Sequence, residues 1–176
     1  PDDSAWYFRQ KVARLVGVEF ENTFAASGSV EVIELAAIAF LNPGDAVVTS
    51  EKTFAMYALA AEKAGAEFRA APMGDGGYRY DLDAIAKLLD DKVKIIYLAN
   101  PTNPTGTWFT AGEFDRFMEK VPEDILVVYD SAYEEYATAK DMPNPLEHFR
   151  RGRRLLLLRT LSKAYGLAGV RVGYAI

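Results

Sequence analysis

The chain has 176 residues, half of them hydrophobic, with 20 Lys and Arg against 25 Asp and Glu, a formal net charge of -5 and no cysteine. That is one domain's worth of chain, and its acidity gives no general pull towards nucleic acid or anionic membrane, so any phosphate must be held by locally placed groups. Lack of thiols excludes a disulfide framework, thiolate zinc sites and cysteine nucleophiles, and no apolar run approaches the ~20 residues of a membrane span, which leaves a cytoplasmic protein acting on a small molecule as the expectation.

In chain order, "SAWYFRQKVARLVG" has apolar residues at helical spacing, with Ser4 as its N-cap and Gly17 as its stop. "VEVIELAAIAFL" follows "ASGS" as a second, mostly apolar helix, and the turn chemistry of "NPGD" ends it. Next come a strand "AVVTS", a helix "FAMYALAAEKAG" and a strand "AEFRAAPM"; "MGDGGYR" reads as a plain loop. "DLDAIAKLLDD" is a helix whose acidic first turn suits the macrodipole. A strand "VKIIYLAN", a helix "TAGEFDRFMEKV", and strands "DILVVYD" and "RRLLLLRT" complete the alternation. Helices alternating with continuous apolar strands predict an α/β fold, a mostly parallel sheet with helices on both faces. The chain opens at Pro1 and stops within "VGYAI", itself strand-like, so a piece of a longer protein is expected.

Ligands in such sheets bind beyond the carboxyl ends of the strands. Three of those ends are polar: Asn100 leading into "PTNPTG", Asp130 closing "DILVVYD", and Thr160 followed by Ser162 and Lys163. If the strands are neighbours, an amide, a carboxylate and an amine converge on one crevice. Each alone also suits an ordinary role, as a proline-rich turn, an N-cap or a solvated loop residue. "SGS", Ser27 to Ser29, would offer free backbone N–H groups and a hydroxyl to an anion at the start of the second helix. A lysine held in a low-dielectric pocket near a cation such as Arg171 becomes a nucleophilic amine suited to an aldehyde. An aldehyde carrying a phosphate and a basic ring nitrogen would use all of these groups, and pyridoxal 5'-phosphate is such a cofactor.

"NPTNPTG", "YDSAY" and "TLSKAYGLAGVRVGY", in this order, resemble the signature segments of the fold-type I, class I/II aminotransferases, and "ASGSVEVIELAAIAFLNPGD" is most similar to the histidinol-phosphate aminotransferase branch. The resemblance covers nearly the whole chain. It implies that residues 1–176 are the cofactor-binding large domain, with an N-terminal segment and a C-terminal small domain lying outside this sequence. Lys163 would bond the cofactor aldehyde and then serve as general base and acid; Asp130 would keep the ring nitrogen protonated; Asn103 and Tyr133 would hydrogen-bond the phenolic oxygen. Ser29, the backbone of Val30, Thr160, Ser162 and Arg171 would hold the phosphate, and Phe54 would lie against the ring, although Phe54 also suits a core position. The implied reaction is amino-group transfer from an amino acid to a 2-oxo acid, in a homodimer whose partner subunit completes the phosphate site. A decarboxylase or lyase of threonine-phosphate decarboxylase type, and a non-catalytic ligand-binding module of the same fold, are the alternatives. Ser131 stands where the family usually has Glu, and Val30 where an acidic or small polar residue is common. His148 in "LEHF" has no nearby partner pattern for catalysis or metal and reads as a surface or packing residue, "FRRGRR" reads as a helix-to-strand loop with a solvated charged face, and the paired carboxylates of "YEEYA" point in different directions and carry no chemistry.

Overall fold

The computed structural model describes residues 3–176. Its strands are β1 (Phe24–Ala26), β2 (Ala46–Ser50), β3 (Glu67–Ala71), β4 (Met73–Gly74), β5 (Arg79–Tyr80), β6 (Val93–Ala99), β7 (Leu126–Asp130), β8 (Leu155–Thr160) and β9 (Gly173–Ala175). Its helices are α1 (Trp6–Val16), α2 (Ser29–Phe40), α3 (Met56–Lys63), α4 (Leu82–Ala86), α5 (Ala111–Lys120) and α6 (Pro145–Arg150). Seven strands form one sheet in the order β1-β9-β8-β7-β6-β2-β3. The run from β3 to β8 is parallel, as helix-connected strands require, and β9 and β1 add two antiparallel strands at one edge.

Side-chain alternation divides the core between the two faces of the sheet. Ile95 and Tyr97 of β6, with Leu126 and Val128 of β7, meet Ile33 and Ala37 of α2 and Ala60 and Ala61 of α3. Ile96 and Leu98 of β6, with Val127 and Tyr129 of β7, meet Ile85 of α4 and Phe114, Phe117 and Met118 of α5. Burial on both faces explains why these strands read as unbroken apolar runs. No helix among the described residues is long and apolar enough to cross a membrane.

Local chemistry sets the helix ends. Gly17 closes α1 in the left-handed region at φ 73° and returns its N–H to the Ala13 carbonyl. Thr110 and Glu113 form a reciprocal capping box at the start of α5.

The structure departs from the sequence expectation, or adds to it, in five places. Ala5, at φ 51°, immediately precedes the first turn of α1, so Ser4 stands one residue too early to be its N-cap. "AEFRAAPM" breaks after Ala71, and Met73–Gly74 instead pairs antiparallel with Arg79–Tyr80, so "MGDGGYR" is a small hairpin turning through Gly76 and Gly77 at positive φ. The helix begun by "DLDAIAKLLDD" ends at Ala86, with Asp81 accepting the Ala84 N–H at 2.9 Å. The segment before "FRRGRR" forms α6, which starts on Pro145, where the missing proline N–H would have had no helical partner. "VGYAI" is indeed a strand, but an antiparallel one.

Candidate functional site

β6, β7 and β8 lie side by side, so their carboxyl ends open on one crevice. Asp130 ends β7, paired with Ala99 of β6 on one side and Leu158 of β8 on the other. The ladder runs one step past the strands through Asn100 N–H to the Asp130 carbonyl at 3.0 Å and Ser131 N–H to the Leu158 carbonyl at 3.1 Å. Asp130 has the parity of Leu126 and Val128, so its carboxylate turns to the face covered by α2 and α3. There the Tyr57 hydroxyl donates to Oδ2 at 2.8 Å, and the Ala132 N–H donates to Oδ1 at 3.1 Å. Burial pushes the Asp130 carboxyl above the usual range, and the bonds from Tyr57 and Ala132 and the charge of Lys163 only partly oppose this. A buried carboxylate facing a cavity in this state fits a cationic nitrogen.

Beside it, the first turn of α2 starts at Gly28, which takes φ 86° and has no side-chain cap. Arg171, itself left-handed at φ 56°, lays its guanidinium across Gly28, where any Cβ would collide with it, and donates to the carbonyls of Ala168 at 3.2 Å and Ser27 at 3.4 Å. Thr160 Oγ1 accepts the Ser162 N–H at 3.1 Å. The Ser162 hydroxyl oxygen is buried and has no hydrogen-bond partner among the described residues. A buried hydroxyl without a partner is costly, so it implies an acceptor supplied from outside the chain. Uncapped helix amides, an arginine and that hydroxyl together fit an anion.

The loop after β6 is fixed by Asn100, which is fully buried. Its amide donates to the Phe109 carbonyl at 3.2 Å and Tyr129 Oη at 2.8 Å, and its oxygen accepts the Phe109 N–H at 3.0 Å. Asn100 is therefore spent on the fold, and the amide that reaches the crevice is that of Asn103. Phe54 meets the edge of Tyr57 at 5.8 Å between ring centroids. Lys163 Nζ stands 5.2 Å from the centre of the Tyr133 ring.

Ser29, Val30, Phe54, Asn103, Asp130, Tyr133, Thr160, Ser162, Lys163 and Arg171, all singled out in the sequence, line a single cavity of about 140 Å³. Tyr57, Ala99, Pro101 and Ala132 line it too; Pro101 and Ala132 lie within "NPTNPTG" and "YDSAY", whereas Tyr57 and Ala99 belong to no motif that marks them. A wider cleft of about 520 Å³, walled by Trp108, Tyr136 and Met142, adjoins it through Pro101, Asn103 and Tyr133.

Two expectations need correction. Lys163 and Arg171 are exposed, so this chain alone does not provide the low-dielectric pocket expected around the amine. Glu134 and Glu135 converge rather than diverge: both pair with Arg159, Glu135 at 3.6 Å, and Ser131 lies within 3.5 Å of the same guanidinium while donating to the Leu158 carbonyl. His148 is buried against Phe114, in line with its reading as a packing residue, and its Nε2 lies 2.8 Å from Asp115 Oδ1. The basic run is largely a solvated face as read: Arg150, Arg151 and Arg154 are exposed, and Arg153, half-buried, bonds the Val121 carbonyl.

Residues 3–176 match the family described as aminotransferase class I and II. The chain belongs to this family. Among aminotransferases it is 46% identical over its full length to the histidinol-phosphate aminotransferase of Anaeromyxobacter sp. (strain Fw109-5), covering 48% of that protein. It is 45% identical to the histidinol-phosphate aminotransferase of Halalkalibacterium halodurans, again over its whole length and 47% of the relative. The crystal structure of the Sinorhizobium meliloti histidinol-phosphate aminotransferase in complex with pyridoxal-5'-phosphate superposes on the whole chain with a TM-score of 0.91 at 30% identity, covering 47% of that chain. This aminotransferase chain thus spans about half the length of the curated relatives it matches.

Proposed function

We propose that residues 1–176 are the cofactor-binding large domain of a pyridoxal-phosphate-dependent aminotransferase of the histidinol-phosphate or aromatic amino acid type, which moves an amino group from an amino acid to a 2-oxo acid. The observation that carries this reading is the shared cavity, in which an amine, a buried carboxylate and an unsatisfied anion cradle meet at the ends of three adjacent strands. Pyridoxal phosphate, when bound, supplies an electron-poor ring that accepts the electron pair left on the substrate α-carbon.

In this reading the chain's own groups divide the work. Ser29, the Val30 N–H, Thr160, Ser162 and Arg171 bind the phosphate, which gives Ser162 Oγ its missing partner. Asp130 holds a proton on the ring nitrogen by offering a carboxylate to it. Asn103 and Tyr133 orient the ring through its phenolic oxygen, and Phe54 packs against its face. Lys163 would hold the cofactor at its aldehyde, and its Nζ would accept the substrate α-proton and pass it on as general base and then acid.

Two further parts of the proposal concern the setting. α2 leaves Leu35, Ile38 and Phe40 exposed, next to Leu59 of α3, and an apolar face of this kind supports a homodimer that would also cover the exposed Lys163 side of the site. A cytoplasmic location fits a chain without a membrane-crossing helix among its described residues.

Borohydride reduction of the cofactor-loaded protein followed by peptide mapping tests the site. The pyridoxyl group is expected on Lys163; finding it on Lys120 or Lys140 overturns the assignment. Supplying an amino donor alone tests the reaction. Conversion of the bound cofactor to its amine form supports a transaminase, whereas release of carbon dioxide with the cofactor unchanged would make the protein a decarboxylase, and no turnover with bound cofactor would make it a binding module.

A further inference from the structure

Tyr57 is wholly buried in the first turn of α3, and nothing in "FAMYALAAEKAG" sets it apart from its apolar neighbours. A tyrosine used only for packing would leave its hydroxyl to a backbone carbonyl, as Tyr97 does with Ile33 at 3.3 Å. Tyr57 instead spends its hydroxyl on Asp130 Oδ2 at 2.8 Å. Its ring is held from two sides. It stacks on Tyr97 with centroids 4.6 Å apart and planes within 3°, and it receives Phe54 edge-on at 89°.

The consequences for the carboxylate are geometric. With Ala132 N–H on Oδ1 and Tyr57 Oη on Oδ2, both oxygens are tied and the carboxyl plane cannot rotate. One lone pair on each oxygen remains for the cavity. The same ring touches Phe54, a wall of that cavity, so carboxylate and wall share one support.

We propose that Tyr57 is the positioning residue of this site: its hydroxyl clamps Asp130 so that the carboxylate presents one fixed edge to the ring nitrogen of the cofactor. The proposal rests on the cofactor reading above for its catalytic consequence, while the clamp itself is a property of the chain. The hydroxyl also offsets part of the burial that works against the charged carboxylate. The other ionisable groups around Asp130 are Tyr80 of β5, Tyr133 beyond β7, Lys163 beyond β8 and Arg171 across the cavity.

The test titrates Asp130 in the full protein stripped of cofactor, carrying aspartate labelled with ¹³C at the carboxyl, with Asp130→Asn identifying the signal. Tyr57→Phe keeps the ring and removes the donor. Its Asp130 midpoint is expected to rise by about one pH unit or more, the value of a hydrogen bond to a charged acceptor. Placing 3-fluorotyrosine at position 57, a more acidic donor of nearly the same shape, is expected to lower the midpoint, and it decides the matter if the Phe variant does not fold. In the loaded enzyme Tyr57→Phe should lower kcat about tenfold with little change in KM. An Asp130 midpoint unmoved by both changes overturns the proposal, whatever happens to kcat. If the parent protein takes up no pyridoxal phosphate, the functional reading fails separately, because the carboxyl titration still reports the clamp.

Discussion

Gly173 lies so close to the Gly28–Ser29 peptide that a Cβ on it would stand 2.5 Å from both the Gly28 carbonyl carbon and the Ser29 nitrogen. This contact seats the start of α2 on β9, and so fixes the amides proposed to bind phosphate relative to Arg171, two residues before Gly173. Gly173→Ala must push the two backbones apart. It is expected to cost about 1–3 kcal/mol in a denaturant titration, as overpacking does, and to weaken pyridoxal phosphate binding beyond that loss. Equal stability and affinity in parent and variant would mean that the α2 turn has room to move.

Ser162 allows the cofactor proposal to be separated from the fold. Its hydroxyl has no partner among the described residues, so Ser162→Ala removes no hydrogen bond that the described fold uses. The expected result is an unchanged or slightly raised Tm without cofactor, together with a rise of about tenfold or more in the Kd for pyridoxal phosphate, measured by equilibrium dialysis. A drop in Tm with an unchanged Kd would assign the hydroxyl to structure.

Asn100 makes the opposite prediction. Removing its side chain orphans the Phe109 N–H and carbonyl and one bond of Tyr129, all in the interior. Asn100→Ala should therefore lose roughly 3 kcal/mol of stability in chemical denaturation, a large effect for a residue only three positions from Asn103. Asn103→Ala, at the cavity, should leave stability nearly unchanged while altering the absorption of bound cofactor.

These contrasts show what the sequence made legible. The central strands announce themselves because burial on both faces makes them continuous apolar runs, and a polar residue at the end of such a run stands out, as Asp130 and Thr160 do. The shorter elements are harder to read: β1 has three residues, too few to show a period, and the β4–β5 hairpin has two per strand. Partnerships across the chain are hidden as well. His148 meets Asp115, 33 positions away, and Tyr57 meets Asp130, 73 positions away, with no local signal at either end. Glu134 and Glu135 looked inert because the Arg159 that gathers them lies in β8, well along the chain from the turn that carries them.

Asp130 joins the fold to the proposed chemistry, and its charge makes a prediction in each. Asp130→Asn keeps the size and removes the charge, so in the loaded enzyme cofactor should remain bound while turnover falls by at least about a hundredfold, each ~1.4 kcal/mol of lost transition-state stabilisation being tenfold. Asp130→Glu should recover only part of this, because the longer arm moves the oxygen off the clamp. Without cofactor the sign reverses. Burial raises the folded carboxyl above its unfolded value, so the folded protein holds that proton more tightly; the resulting stability is present below the ordinary carboxylate range and is lost as the pH rises through the raised folded value. The asparagine variant has no such proton to lose. Thermal unfolding of the two cofactor-free proteins across pH should therefore show the parent falling behind the variant on going from acid to neutral solution. A difference that stays constant over that range would mean that the Asp130 carboxylate keeps its solvation in the folded protein, and the clamp from Tyr57 would then have nothing to offset.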